Sequence, residues 1–171
     1  PVITSPVQLC KGATANSLTA TGANLLWYAT ATGGPGSATA PAPNTGNTGV
    51  AYYYVSQTTN GCEGPRATIE VDVSDIPSAP MATTPVIYCQ GQKASPLTAS
   101  GTGVLWYTTA TGGTGSAITP TPATSTPGTI YYYVSSANYC GESERTKIEV
   151  NVLAGPSATI RYSKNVLCNS V

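Results

Sequence analysis

An internal repeat constrains this chain more than any other feature of its sequence. The run Leu-Leu-Trp-Tyr at residues 25–28 returns as Val-Leu-Trp-Tyr at residues 104–107, and each run is followed by an Ala-Thr-Gly-Gly turn. Trp27 and Trp106 are the only tryptophans, and they stand 79 residues apart. A period of that length is close to the size of a small domain, so we infer that one module has been copied whole.

The period also predicts where the domains begin and end. We expect one repeat in residues 1–78, a second in residues 79–157, and the first strand of a third, different repeat, cut short, in residues 158–171. Proline in the joint at residues 74–80 favours extended backbone, so the modules are predicted to line up as a semi-rigid rod. Because the first residue is not Met and the repeat begins at once, we interpret the chain as a piece of a longer precursor.

Composition and periodicity favour strands. The chain has 14 Pro and 18 Gly and is rich in Thr and Ser, which is typical of short strands separated by turns. Ile69, Val71 and Val73 alternate with polar residues, and the Tyr-Tyr-Tyr-Val-Ser runs at 52–56 and 131–135 are the most apolar strands of the two copies. The sequence therefore predicts an all-β chain of two tandem antiparallel β-sandwiches joined by a Pro-containing linker.

Charge and residue types exclude several functions. Seven basic and seven acidic residues in 171 give no field that would attract nucleic acid, and no apolar run is long enough to span a membrane. The chain has no His, which removes Ser-His-Asp and Cys-His catalysis and His-ligated metal sites. The carboxylates are scattered and form no catalytic arrangement, so we expect neither an enzyme nor a cofactor. Binding of a single calcium ion near Asp72 and Asp75 is an alternative that the sequence leaves open.

The cysteines predict disulfides formed in an oxidising compartment. Cys10 and Cys62 are 52 residues apart, and Cys89 and Cys140 are 51 apart. We predict one bridge within each repeat, because closing a loop of about 50 residues stabilises a small domain by about 4 kcal/mol in the chain-entropy model. Buried free thiols are the alternative, and a metal or redox role is disfavoured because no Cys-x-x-Cys occurs. The partner of Cys168 is expected beyond Val171.

Aromatic side chains are the remaining recognition candidates. We interpret Trp27 and Trp106 as core anchors, since each lies in an apolar strand, and a sugar-binding platform is the alternative. In a strand, alternate residues share a face, so Tyr53 and Val55 lie on one face of the first copy and the neighbouring tyrosines on the other. That second face offers a candidate ligand surface of four tyrosines, Tyr52, Tyr54, Tyr131 and Tyr133.

Several short sequence motifs of the repeat together resemble those of a known family. They are Cys-x-Gly, Leu-Thr-Ala-x-Gly, Leu-Trp-Tyr, Ala-Thr-Gly-Gly-x-Gly-Ser-Ala and Tyr-Tyr-Tyr-Val-Ser, each present in both copies. The chain is similar to the immunoglobulin-like repeats of large secreted proteins of Bacteroidota, and most similar to those of gliding-motility adhesins exported by the type IX secretion pathway. The tail, at residues 160–163 and 168–170, is similar to the opening of the other repeat type of such adhesins.

The resemblance implies a non-catalytic role outside the cell. The expected function is that of stalk and adhesion repeats in a secreted cell-surface protein on the exterior of the outer membrane, serving surface attachment and gliding. Expected partners are neighbouring repeats of the same chain and an extracellular surface or polysaccharide, held by weak multivalent contacts. The alternative is a carbohydrate-binding accessory module of a secreted glycoside hydrolase, since fold analogy assigns no ligand.

Overall fold

The computed structural model describes residues 1–155, and all of its regular structure is β-strand. Residues 158–171, predicted to open a third repeat and including Cys168, lie outside the described residues. No helix in residues 1–155 is long and apolar enough to cross a membrane. The prediction of an all-β fold is confirmed.

The strands fall into two groups that repeat the same order. The first repeat contains β1 (Val2–Ile3), β2 (Val7–Cys10), β3 (Ala20–Thr21), β4 (Leu25–Tyr28), β5 (Gly49–Thr59), β6 (Cys62–Glu63) and β7 (Ala67–Ser74). The second repeat contains β8 (Met81–Ala82), β9 (Val86–Cys89), β10 (Ala99–Ser100), β11 (Leu105–Tyr107), β12 (Gly128–Ser135), β13 (Ala137–Asn138), β14 (Gly141–Glu142) and β15 (Thr146–Leu153).

Each repeat is built on one main sheet. Its strand order is β2-β7-β5-β4 in the first repeat, and β9-β15-β12-β11 in the second. The first strand of each sheet pairs in parallel with the last, with Val7 opposite Val71 in one copy and Val86 opposite Val150 in the other. The remaining pairs of the main sheets are antiparallel, so the predicted antiparallel sandwich contains one parallel pair per repeat.

A smaller layer covers the inner face of each main sheet. β1 pairs with β3, and β8 pairs with β10. The Pro-rich segment Ala-Pro-Ala-Pro at residues 40–43 lies alongside, because Leu18 N donates to Pro41 O at 2.9 Å. This segment forms no strand, in keeping with the missing N–H of proline. Along the chain it lies in the connection between β4 and β5, two neighbouring strands of the main sheet.

The core lies between these layers and follows the predicted alternation. Trp27, Val55, Ile69 and Val71 are buried against Leu18 in the first repeat, and their counterparts form a second, separate core. Those counterparts are Trp106, Val134, Ile148, Val150 and Leu97. Burial of each such side chain contributes about 1.5–3 kcal/mol, so each repeat has its own hydrophobic stabilisation.

Candidate functional site

Each repeat carries one cysteine at each end of its main sheet. Cys10 is the last residue of β2 and lies opposite Ser74, the last residue of β7. Cys62 follows the far end of β5, where it pairs with Thr59. We call the end with Cys10 the distal end of the repeat and the end with Cys62 the proximal end. The full length of β7, roughly 25 Å, separates the two ends.

This separation makes the predicted bridge within each repeat wrong. A disulfide needs Cα atoms within about 7 Å, and the length of the sheet keeps Cys10 and Cys62 far beyond that limit. The same register places Cys89 opposite Leu153 at the distal end of the second repeat, whereas Cys140 lies in the hairpin at its proximal end.

The bridge that forms crosses the boundary between the repeats. Cys10 is bonded to Cys140, with 5.4 Å between their Cα atoms and a sequence separation of 130. Within residues 1–155, Cys62 and Cys89 are free thiols, and both are exposed. The distal end of the first repeat is therefore joined covalently to the proximal end of the second.

Hydrogen bonds surround this disulfide. The Tyr139 hydroxyl donates to Asp72 O at 3.1 Å, and Asn138 Nδ2 donates to Asp75 O at 2.7 Å. On the second repeat, Thr146 Oγ1 donates to Pro80 O at 2.6 Å and so holds the linker against the sheet. We call this set of contacts the inter-repeat joint. It fixes the two modules end to end by contact as well as by proline stiffness.

Of the two acidic residues near the joint, Asp75 is the one whose carboxylate has partners among the described residues. Asp72 contributes its backbone oxygen to Tyr139, while the Asp75 carboxylate lies 3.4 Å from Lys11 Nζ and accepts a hydrogen bond from Ile76 N. No group of three or more metal-ligating side chains occurs in the described part of the chain. Nothing in the geometry of the joint therefore supports the calcium site that the sequence left open.

A polar cluster on the outer face of the main sheet was missed by the sequence analysis. Tyr28 Oη and Ser56 Oγ both donate to Glu63 Oε1, at 2.5 and 2.6 Å. The Arg66 guanidinium lies over the Tyr28 ring, 3.3 Å from its centroid, and donates to Thr30 O and to the carbonyl of the Gly-Gly turn. The hydroxyl bonds from Ser56 and Tyr28, with the nearby Arg66 charge, lower the pKa of Glu63.

The second repeat reproduces this outer-face cluster. Arg145 lies over Tyr107 at 3.2 Å and bonds its own turn, and Ser135 donates to Glu142 at 2.6 Å. Hydrogen bonds from Ser135 and Tyr107 lower the pKa of Glu142. The available signal was that each polar residue recurs after 79 residues, as the core residues do. The cluster holds the Thr-Gly-Gly turn against the sheet and is structural in character.

An open aromatic groove lies beside the same turn. In the first repeat it has a volume of about 490 Å³, and Trp27, Tyr28, Pro41, Tyr52 and Tyr53 contribute to its walls. The corresponding groove of the second repeat is smaller, at about 360 Å³. It is lined by Trp106, Tyr107, Ile118, Pro120 and Tyr132, together with threonine and serine side chains. Apolar walls with a few hydroxyl groups suit a sugar ring or an extended peptide.

The four tyrosines of the predicted ligand surface do not share one environment. Tyr52 and Tyr131 are outward, with exposed fractions of 52% and 41%, whereas Tyr54 and Tyr133 are half-buried. The Lys147 ammonium covers the Tyr131 ring at 3.8 Å. Tyr52 belongs to the groove of the first repeat, but Tyr131 is absent from the described lining of the second. Their role as a ligand surface stays a prediction.

Comparison with known protein families identifies the family of this chain. The sequence profile of the family described as "Ig-like domain CHU_C associated" matches twice, over residues 1–74 and 77–153. The chain belongs to this family. Its two modules are therefore CHU_C-associated Ig-like repeats in tandem, and repeats of this kind suggest a non-catalytic surface or adhesion-type module. No match was found among curated proteins.

Solved structures of other tandem Ig-like domains are only distantly similar to the CHU_C-associated repeats. The titin domains Z1Z2 in complex with telethonin share 15% identity, with a TM-score of 0.30 and coverage of 91% of this chain and 97% of theirs. Immunoglobulin domains 1–4 of Sidekick-1 share 14% identity, with a TM-score of 0.27 and coverage of 88% and 49%. These values carry no argument about function, so the sites must be interpreted from their own geometry.

Proposed function

We propose that the two CHU_C-associated Ig-like repeats are non-catalytic stalk units of a large secreted adhesin on the bacterial cell surface, serving attachment and gliding. The observation that supports this is the inter-repeat joint, in which the Cys10–Cys140 bridge and the Tyr139 and Asn138 hydrogen bonds hold the modules end to end. A stalk has to keep its reach, and a covalent joint restricts bending between neighbouring units. The disulfide also suits an oxidising location outside the cell.

The sequence motifs of the repeats resemble those of gliding adhesins. This resemblance supports the more specific claims of the proposal, which are export by the type IX pathway and a role in motility. Low charge suits a spacer, because seven charges of each sign give no long-range attraction to a particular polymer. Adhesion would then come from many weak contacts along the array rather than from one tight site.

The proposal is tested in the organism that makes the protein. Antibodies raised against residues 1–155 are expected to label intact cells, and deletion of the two repeats is expected to reduce attachment to glass or polysaccharide. Replacement of the repeats by two unrelated Ig-like domains of similar length separates the roles. Restored attachment supports a spacer, and a persistent defect indicates that the repeats themselves bind. Absence of surface labelling, or attachment unchanged by the deletion, would contradict the proposal.

A second candidate function is carbohydrate binding by an accessory module of a secreted glycoside hydrolase. The aromatic groove and the exposed Tyr52 ring favour it, because sugars stack on aromatic faces beside hydroxyl groups. The purified chain would be tested on a glycan array, with Tyr52→Ala as the groove variant and Val2→Ala, an exposed residue of another strand, as the control. Saturable binding that only the groove variant loses supports the module, and no binding excludes it.

A further inference from the structure

We propose that Cys62 and Cys89 are also halves of inter-repeat disulfides, whose partners are cysteines of further copies of this module. In an array, the distal cysteine of each repeat would bond to the proximal cysteine of the next, as Cys10 bonds to Cys140. Consecutive repeats would then be linked by a continuous ladder of disulfides. The inference does not depend on adhesion, since it would hold for any protein that carries this module in tandem.

The distal end of the second repeat reproduces the backbone arrangement of the surface that receives Cys140. Cys89 lies opposite Leu153, as Cys10 lies opposite Ser74. Ser74 O accepts from the residue after Cys10 at 2.8 Å, and Leu153 O accepts from Gln90 N at the same distance. In the joint, Ser74 O is also 3.4 Å from Cys140 Sγ. The backbone oxygen and the thiol that take part in the joint at Cys10 thus have equivalents at Cys89, where the proximal hairpin of a following repeat would bind.

Exposed apolar side chains point to a partner at this end. Ile87 and Leu153 have exposed fractions of 58% and 53%. Ile87 shares a strand face with Cys89, two residues away, and Leu153 is directly opposite Cys89 in the neighbouring strand. A following repeat seated here would cover these two side chains together with the thiol.

The proximal end of the first repeat presents Cys62 in the same hairpin that presents Cys140 in the second. Thr59 pairs with Cys62 in one hairpin, and Asn138 pairs with Gly141 in the other. The cysteine is displaced by one residue because the turns differ. Asn60 and Gly61 both have positive φ, at 52° and 78°, whereas the second hairpin has its positive φ of 144° at Gly141. Cys140 lies in its turn and Cys62 is the first strand residue after its turn, so both hairpins carry one cysteine at the proximal end of the repeat.

The sequence repeats the distal cysteine with the period of the module. Cys10, Cys89 and Cys168 follow one another at intervals of 79 residues. Each repeat therefore carries one cysteine at its distal end and one at its proximal end. Head-to-tail stacking brings a distal cysteine and a proximal cysteine together at every joint.

Formation of each bridge is a thiol–disulfide exchange. Two cysteine thiols lose two protons and two electrons to form one S–S bond, and one disulfide of an extracytoplasmic oxidant is reduced to its two thiols. Oxidised glutathione can serve as that disulfide oxidant in a test with purified protein.

The test uses the full chain lengthened by one repeat. A copy of residues 80–158 is inserted after residue 158, and Cys62, Cys168 and the distal cysteine of the added copy are changed to Ser. Four cysteines remain: Cys10, Cys89, Cys140 and the hairpin cysteine of the added copy. After oxidation we expect no thiol that alkylates under denaturing conditions, and peptide mapping should link Cys89 to the added hairpin.

The matched control has the added hairpin cysteine changed to Ser, which should leave Cys89 as the single alkylated thiol while the Cys10–Cys140 bridge persists. That persistent bridge and an unchanged circular dichroism spectrum show that the lengthened chain folds. Alkylation of both Cys89 and the added cysteine, or a link from Cys89 to Cys140, would overturn the proposal. So would a Cys89–Cys168 bridge in the unaltered chain.

Discussion

Cys10 and Cys140 are bonded across the boundary between the two repeats, although they are 130 positions apart in the sequence. Closing a loop of that size restricts the unfolded chain by about 5 kcal/mol in the chain-entropy model, comparable with the whole stability of a small domain. The bond also changes the path of tension. A pull on the two termini passes from Cys10 to Cys140 through the sulfur atoms, and the backbone between them is shielded.

The shielding predicts a large effect of reduction on extension under force. The closed loop holds back about 450 Å of extended backbone, estimated from the rise per residue of a stretched chain. Tethered at residues 1 and 171 in an optical trap, the oxidised chain should release only its terminal segments, and the reduced chain should release the whole length. Cys140→Ser should behave as reduced protein, whereas Cys62→Ser should keep the short extension. Equal extension with and without reductant would contradict the inter-repeat bridge.

The Tyr139 hydroxyl is predicted to favour formation of this bridge. It donates to Asp72 O across the joint, and a hydrogen bond of this kind contributes about 1 kcal/mol. Tyr139→Phe should therefore lower the equilibrium constant for Cys10–Cys140 formation against glutathione about fivefold. Tyr131→Phe is the control, because that exposed ring lies on β12 away from the joint. An unchanged constant in Tyr139→Phe would mean that the hydroxyl adds nothing to docking.

The outer-face clusters predict that stability falls in acid. Hydrogen bonds from Ser56 and Tyr28 lower the pKa of Glu63 in the folded protein, and those from Ser135 and Tyr107 do the same for Glu142. The unfolded chain therefore takes up protons first, so this stabilisation is complete above the ordinary Glu pKa of about 4.3 and is lost as the pH falls through the lowered folded values.

Urea midpoints measured between pH 6 and pH 3 test the acid dependence. The double variant Glu63→Gln, Glu142→Gln should have a flatter pH profile than the unaltered chain. Glu70→Gln, outside both clusters, should keep the original profile. If the double variant keeps the full acid dependence, the clusters are not its source.

The fold was predictable because its determinants are local or repeated. The alternation of Ile69, Val71 and Val73 directly gives one buried face, and the apolar run around Trp27 gives a second strand of the core. The parallel pairing of β2 with β7 was not predictable in this way. It depends on which edge of the sheet the first strand joins, and an alternating pattern does not encode that choice.

The disulfide pairing failed for a related reason. The spacing of Cys10 and Cys62 fixes the size of a loop, but the number of strands crossed between them decides at which end of the sheet each cysteine lies. The Tyr28–Glu63–Arg66 cluster depends on Tyr28 and Glu63, 35 positions apart, and on Thr30 and Arg66, 36 positions apart, which meet only after β4 and β5 have paired. Its sole sequence signal was the recurrence of the same polar residues in the second copy.

Gly36 and Gly115 are predicted to be required for the packing of the outer-face clusters. A Cβ atom at Gly36 would lie 2.7 Å from Tyr28 Oη, and one at Gly115 would lie 2.5 Å from Tyr107 Oη. Gly36→Ala or Gly115→Ala must therefore displace the tyrosine from its glutamate, at a cost of about 1–3 kcal/mol in the free energy of unfolding of that repeat. Gly155→Ala is the matched control, since a Cβ atom added there would have no neighbouring atom within 4 Å. Urea unfolding would measure the difference, and equal midpoints for Gly36→Ala and Gly155→Ala would show that the turn yields without loss.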